Sequence, residues 1–284
     1  MGFTIATNVS SLNAMRNLTL NQTAQSKSVE RLSSGLRINR AADDAAGLAI
    51  SEGLKNQISG LQVAGRNAQD GISLIQTAEG ALTEVHNILN RVRDLAVQAA
   101  NDTNNADSRT AIQAEITAQA SELSRIATST NFNGIELLTT AAAASDLKIQ
   151  VGSNAGAANN EIAVSLTDIT IVAAAVAAID VAGGADQPAN QVAASGAITT
   201  LDNQIKSVST ARADLGAQQN RMESTARSIA VSVENLSAAN SRIRDTDMAQ
   251  EMGNFTKSQI LSSAATAMLA QANQMNSGVV QRLQ

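Results

Sequence analysis

Apolar residues recur every three or four positions toward both ends of this chain. From Leu201 the run Leu201, Ile205, Val208, Leu215, Met222, Ala226, Ile229, Val233, Leu236 and Ile243 advances in alternating steps of four and three; only Arg212, Gln219 and Asn240 interrupt it. A second run follows: Leu261, Ala265, Met268, Ala272, Met275 and Val279. Near the start, Met15, Leu18, Val29, Leu32 and Leu36 keep the same phase, with Gln22 and Gln25 as polar members. A stripe repeating every 3.5 residues is the seam of a coiled coil rather than the broad face of a globular helix. Two terminal stripes need partners, either each other or other copies of the chain. The pattern therefore predicts an assembling structural protein.

Between the stripes the chain divides into readable elements. A first helix is capped by Asn8 or Ser10, whose side chains can accept from free backbone N–H groups, and stops at Ser33-Ser34-Gly35. A connector, residues 35–43, precedes Asp43-Asp44, which suit the positive end of a second helix. That helix runs to about Ala100 on the stripe Leu54, Ile58, Leu61, Ala68, Ile72, Ile75, Ala78, Leu82, Val85, Leu89, Val92, Ala96 and Ala99. At 1.5 Å per residue it would be roughly 80 Å long, a rod and not a globule. The polar turn 101–105 leads to a third helix, capped by Asp107 or Ser108, with Ile112, Ile116, Leu123 and Ile126 on one side and Gln119 as a polar member. A short connection should fold it back antiparallel.

Asn131-Phe132-Asn133-Gly134 is turn chemistry. Alternation at Leu147, Ile149, Val151 and then Ile162, Val164, Leu166, around the Gly/Asn-rich loop 152–160, predicts a β-hairpin. Residues 171–195 are Ala/Gly-rich and weakly patterned, and read as a surface excursion. A fourth helix runs from there to Ile243, and a last one, capped by Thr246, runs to about Leu283. The expected fold class is mainly α: an elongated antiparallel helical rod with a small β-hairpin, plus a terminal two-helix coiled coil formed by the N- and C-terminal arms. The expected divisions are an N-terminal arm 1–43, a rod part 44–140, hairpin and excursion 141–195, a rod helix 196–243 and a C-terminal arm 244–284.

Composition narrows the function. Aromatics make up 1% of the chain (Phe3, Phe132 and Phe255), so Ala, Leu, Ile and Val must fill thin layers between helices. The one proline, Pro188, leaves long helices unbroken elsewhere. With no cysteine there is no thiol nucleophile or Cys-based metal site. The single histidine, His86, has no metal-ligating company and reads as a solvated surface side chain. Asp43 and Asp44 are adjacent on a helix and cannot converge as an acid/base pair. No phosphate-cradling loop appears. An enzyme is not expected, nor a cofactor or metal. The net charge of −5 shows no basic stripe for nucleic acid. The longest apolar stretch, 169–179, is too short to cross a bilayer, and the first residues lack the regions of a secretory signal peptide.

Several stretches are specific enough to suggest a family. Residues 31–51 read RLSSGLRINRAADDAAGLAIS, 91–98 RVRDLAVQ, 131–138 NFNGIELL, 212–222 RADLGAQQNRM, and 240–272 NSRIRDTDMAQEMGNFTKSQILSSAATAMLAQA. In these, over roughly the first 140 and last 90 residues, the chain resembles bacterial flagellin, in a minimal form without large outer domains. The resemblance implies a subunit that self-polymerises into the flagellar filament, the helical propeller of swimming, with the arms forming an inner tube. It also implies arms that order only on assembly, and export to an extracellular flagellum by a dedicated apparatus. The implied partners are other copies of the chain, an export chaperone, and cap and hook-junction proteins. Arg91, Leu95 and Glu115 match positions by which many flagellins are recognised by Toll-like receptor 5.

Two further expectations concern assembly. Leu18, Val29, Leu32, Leu36, Leu261, Met268, Met275 and Val279 should form the subunit-assembly seam. Arg31, Arg37, Arg40, Asp43 and Asp44 crowd the connector as candidates for inter-subunit ion pairs. The alternatives are a hook–filament junction protein, which would cap a junction instead of polymerising, and a secreted coiled-coil binding module, which would form soluble oligomers and no tube.

Overall fold

The computed structural model describes residues 8–183 and 187–282, apart from the side chains of residues 157, 158, 187 and 275–282. In chain order the elements are α1 (Val9–Ser34), α2 (Ala45–Ala99), α3 (Ala106–Ser129), β1 (Asn131–Phe132), β2 (Ile135–Glu136), α4 (Thr140–Ala143), β3 (Leu147–Gln150), α5 (Ala157–Asn160), β4 (Glu161–Val164), α6 (Thr170–Ala177), α7 (Gln187–Arg244) and α8 (Met248–Arg282). They form two compact units. One takes the residues up to 57 and from 234 onward; the other is Ile58–Val233. The expected division at 43/44 sits in the connector before α2 and that at 243/244 in the last turn of α7, whereas the unit boundaries fall well inside α2 and α7.

The Ile58–Val233 unit is built on the predicted stripes. On α2, Ala68, Ile72, Ile75, Ala78, Leu82, Val85, Leu89, Val92, Ala96 and Ala99 are all buried. On α7, Leu201, Val208, Leu215, Met222 and Ile229, spaced by seven, are buried as well. Ion pairs Arg93–Asp202 at 2.6 Å and Arg212–Glu79 at 3.5 Å show that α2 and α7 run in opposite directions. Gly71 lets them close: a Cβ there would come within 2.8 Å of the Met222 terminal methyl. Pro188 sits in the first turn of α7, where its missing N–H costs nothing.

Helix α3 adds Ile112, Ile116, Leu123 and Ile126 to the core. Its cap is Asn105, whose side chain accepts from Ser108 N–H at 2.8 Å; Asp107 and Ser108, expected as caps, lie in the first turn. Arg109, 2% exposed, turns back onto the preceding helix end. Its Nε donates to Ala99 O at 3.2 Å and its Nη2 to Asn101 O at 3.3 Å. The Ala99 carbonyl, at the end of α2, has no intrahelical donor, and a cation suits that negative end.

Strand β3 pairs antiparallel with β4 in the register Leu147↔Val164 to Gln150↔Glu161, as the alternation predicted. A second, smaller hairpin joins β1 and β2 through Asn133 (φ 51°) and Gly134 (φ 78°), the left-handed pair of a two-residue turn.

The first part of 171–195 departs from expectation. Through residue 181 it is not a surface excursion: Val172, Ala173, Val176, Ile179 and Val181, with Ile169 before them, are buried, and α6 packs on α3. Gln113 of α3 fastens the segment end with both faces of its amide, donating to Ile179 O at 2.8 Å and accepting from Val181 N–H at 2.9 Å. A short helix apolar on most sides carries little periodicity, so its burial left no stripe to read.

In the other unit α1 and α8 pair as antiparallel helices, the expected two-helix arrangement of the arms. Helix α1 begins at Asn8, which accepts from Ser11 N–H at 3.0 Å, and ends at Gly35 (φ 71°), whose N–H donates to Arg31 O. The left-handed conformation there suits a residue without Cβ. The cap of α8 is Asp247 rather than Thr246: Asp247 Oδ1 accepts from Ala249 N–H at 2.9 Å and from Gln250 N–H at 3.1 Å. The Thr246 N–H is committed elsewhere, to Gly35 O at 3.0 Å.

Candidate assembly surface

The face by which α1 meets α8 is not the apolar stripe. Partly or fully buried positions on α1 include Ser11, Ala14, Leu18, Asn21, Gln25, Ser28 and Leu32, a heptad register of mostly polar or small residues, with Glu30 and Arg31 half-buried beside it. Facing them on α8 are Glu251, Phe255, Ser258, Ser262, Ala265, Leu269 and Ala272. Hydrogen bonds cross this contact. Asn8 Nδ2 donates to Ala272 O at 3.1 Å, Ser11 Oγ to Asn273 Oδ1 at 3.1 Å, and the Gln25 amide to the Gln259 amide oxygen.

The large apolar side chains flank this contact and face outward. Leu12, Met15, Leu20 and Val29 are exposed on α1, and Met248, Met252, Ile260, Leu261 and Met268 on α8. Met15 is 59% exposed and Met268 is 65% exposed, values at odds with a finished core. Of the predicted seam, Leu18 and Leu32 lie in the α1–α8 contact, Leu36 is half-buried in the connector, and Val29, Leu261 and Met268 are exposed. Met275 and Val279 lie outside the described side chains. The difference has a simple cause. Periodicity of apolar residues marks the greasy flank, while the contact uses small and hydrogen-bonding residues one position away, about 100° around the helix.

The connectors at the base of the arms are clamped by backbone. Leu36 and Asp245 form an antiparallel bridge, with Arg37 N–H donating to Arg244 O at 2.6 Å. Arg37 Nη2 adds a bond to Ile243 O at 2.6 Å. Nearby, buried Ser51 donates to Asn240 at 2.8 Å, so the polar break in the α7 stripe is used, and Arg244 pairs with Glu52 at 2.7 Å.

Each member of the predicted charge cluster is engaged within its own chain. Asp43 pairs with Lys27 at 2.7 Å and accepts from the N–H groups of Arg40 and Asn39 at 3.2 and 3.3 Å. The Lys27 hydrogen bond first, then those N–H groups, hold its carboxyl at about 2, below the ordinary range. Arg40 pairs with Glu30 at 2.8 Å and Arg31 with Glu251 at 3.6 Å. Asp44 caps α2 by accepting from Gly47 N–H at 2.9 Å. The partners Lys27, Glu30 and Glu251 escaped sequence reasoning, because they come within reach only through the return of the connector and of α8.

On α2 and α3, Arg91 donates to Glu115 at 2.7 Å, both partly exposed. Leu95 does not join them on the surface: at 2% exposure it belongs to the core. A step of four turns the helix by about 40°, enough to carry Leu95 onto the buried stripe beside Ala96. His86 is half-buried rather than solvated, and its Nδ1 is out of water without a partner.

Residues 5–143 match the bacterial flagellin N-terminal helical region, and residues 198–283 match the bacterial flagellin C-terminal helical region. The chain belongs to the bacterial flagellin family. A flagellin of Halalkalibacterium halodurans is 48% identical over 276 residues, spanning 97% of this chain and 98% of that one. A flagellin of Bacillus subtilis is 47% identical over 302 residues, again spanning 97% and 98%. A flagellar filament 31.3 kDa core protein of Treponema maltophilum is 42% identical, spanning 98% of each chain. The crystal structure of Bacillus cereus flagellin aligns at a TM-score of 0.47 with 33% identity, covering 58% of this chain and 88% of that one. By its family and its full-length relatives this chain is a structural filament subunit and not an enzyme, in a minimal form. Its homologues form the flagellar filament, an extracellular appendage.

Proposed function

We propose that this flagellin polymerises by burying the outward apolar flanks of α1 and α8 against other copies. The observation behind this reading is the inversion within the arms: polar and small residues fill the α1–α8 contact, while Leu12, Met15, Leu20, Val29, Ile260, Leu261 and Met268 face outward. A large apolar side chain taken fully out of water contributes about 1.5–3 kcal/mol. Several per subunit are enough to offset the ordering of two helices that are marginal alone. The assembly seam is then the flank carrying Val29, Leu261 and Met268, while Leu18, Leu32 and Leu36 support the arms from inside. In the full chain, replacing Leu12 and Leu261 together by Ser should stop elongation from filament seeds at concentrations where the parent grows. Because both side chains are exposed, the melting temperature of the unassembled chain should stay as it was. Normal elongation by the double variant overturns the reading.

The same greasy flank is the surface an export chaperone would cover before assembly, and the one that cap and hook-junction proteins would meet at the filament ends. Secretion through the flagellar apparatus fits that sequence of partners. For Toll-like receptor 5, the exposed Arg91–Glu115 pair is the group available for recognition, with Leu95 supporting the helix from within. Unassembled chain carrying Arg91→Ala should signal through that receptor at least tenfold more weakly than the parent (~1.4 kcal/mol); equal signalling removes the assignment.

A further inference from the structure

We infer that Asn133, at the tip of the β1–β2 hairpin, is a self-modification site, where the folded, unassembled subunit loses its side-chain amide to water through attack by the Gly134 backbone nitrogen. The inference is independent of the polymerisation reading.

The turn brings together what the reaction needs. Asn133 and Gly134 lie outside the ladder Asn131↔Glu136 and Phe132↔Ile135, and both are exposed. The side chain of Asn133 makes no hydrogen bond among the described residues, so its amide carbon is free to turn toward the following nitrogen. The other asparagines of the exposed turns are tied. Asn131 donates to Ser129 O at 3.0 Å, Asn101 accepts from Thr103 N–H at 3.3 Å, Asn104 donates to Gln98 O at 2.6 Å and Asn105 accepts from Ser108 N–H at 2.8 Å. Asn133 is also the one followed by glycine: no Cβ crowds the attacking nitrogen, and nothing lies within 4 Å of where one would stand.

Attack requires Asn133 to leave its left-handed conformation (φ 51°), and the hairpin makes that inexpensive. Each strand is two residues long, and so short a ribbon is marginal by itself. Its opening is a local event that need not disturb the core. Below the turn the chain is fixed again, where fully buried Leu137 donates its N–H to Thr130 O at 3.1 Å.

The step balances without an outside oxidant or cofactor. The Gly134 nitrogen bonds to Asn133 Cγ and gives up its proton. The bond from Cγ to the side-chain nitrogen breaks, and that nitrogen leaves as ammonia, leaving a succinimide ring. Water then adds to either ring carbonyl and breaks one of the two ring C–N bonds. One opening yields aspartate; the other yields isoaspartate, which carries the main chain through the side-chain carbon. One water enters and one ammonia leaves. Aspartate tolerates the left-handed turn and adds a carboxylate near exposed Glu136. Isoaspartate lengthens the main chain, so a two-residue turn no longer closes the Phe132↔Ile135 register.

The experiment ages full-length unassembled chain at mildly alkaline pH, with and without urea, and compares two tryptic peptides by mass and fragmentation. Peptide 126–148 contains Asn131 and Asn133; peptide 94–109 contains Asn101, Asn104 and Asn105 and is the internal reference. In the folded chain the amide-to-acid mass shift should appear at Asn133 on the order of tenfold faster than at any reference asparagine. It should arrive as two products of equal mass that chromatography separates, and Asn133→Asp should abolish it. Equal rates in the two peptides of the folded chain overturn the assignment. So does conversion of Asn133 only in urea, since the closed turn would then shield the amide. A single aspartate product overturns the ring mechanism, because direct hydrolysis by water makes no isoaspartate.

Discussion

Two helix pairings in this chain share one period and differ in everything that fills it. Along α7 the seven-residue repeat Leu201, Val208, Leu215, Met222 and Ile229 is apolar and buried against a matching stripe on α2. Along α1 the repeat Ser11, Leu18, Gln25 and Leu32, with Ala14, Asn21 and Ser28 between, is mostly polar or small, and largely half-buried. An apolar seam gives stability; a polar residue in a seam fixes register at a cost in stability. The first pairing can therefore stand on its own packing. The second prescribes how the arms lie against each other, through Gln25 with Gln259 and Asn8 with Ala272 O, and leaves their hydrophobic free energy on the outside. Period says that a helix will pair; composition of the repeat says whether the pair is self-sufficient.

The sharpest way to break this contrast is to cut the same side chain from both pairings. Leu89 is fully buried in α2, and Leu89→Ala should lower the unfolding free energy of the unassembled chain by about 3 kcal/mol. Leu18→Ala, in the polar contact, should cost less than about 1 kcal/mol in the same urea titration. If the two losses prove equal, the arms carry a core of their own, and the distinction drawn between the pairings is wrong.

How far each region could be read from the chain follows from the same contrast. The stripe from Ile72 to Ala99 was legible because burial there is apolar at every step. The β3–β4 hairpin was legible from strict alternation. The α1–α8 contact was legible as a pairing but not in register: hydrogen bonding and small size select Ser28 and Ala265, and an apolar count passes over both. The buried segment 169–181 was illegible for the opposite reason, since nearly all of it is apolar and no face stands out. It is anchored by Gln113, a polar side chain whose two backbone bonds depend on a loop returning from far along the chain. The charges of the connector were visible as a crowd, but their pairing with Lys27, Glu30 and Glu251 is a tertiary fact.

A smaller effect sharpens the contrast from the side of charge. The polar organisation of the arms extends to their base, where Asp43 ties Lys27 of α1 to the connector N–H groups of Asn39 and Arg40. These contacts favour the ionised carboxylate, so its pKa is lowered to about 2. A carboxyl lowered on folding contributes in full above the ordinary carboxylate range, near 4, and its contribution is lost as pH falls through about 2. Asp43→Asn removes the charge at every pH. The parent should therefore melt slightly above the variant by a constant margin from pH 7 to about 5, and the two melting curves should converge as pH drops toward 2. The margin should be small because the pair is open to water and screened by salt. A margin that persists unchanged at pH 2 would mean that the amide fails for a reason other than charge, such as lost geometry at the Asn39 and Arg40 N–H groups. The base of the arms would then be held by shape rather than by the ion pair, as the α2–α7 pairing is.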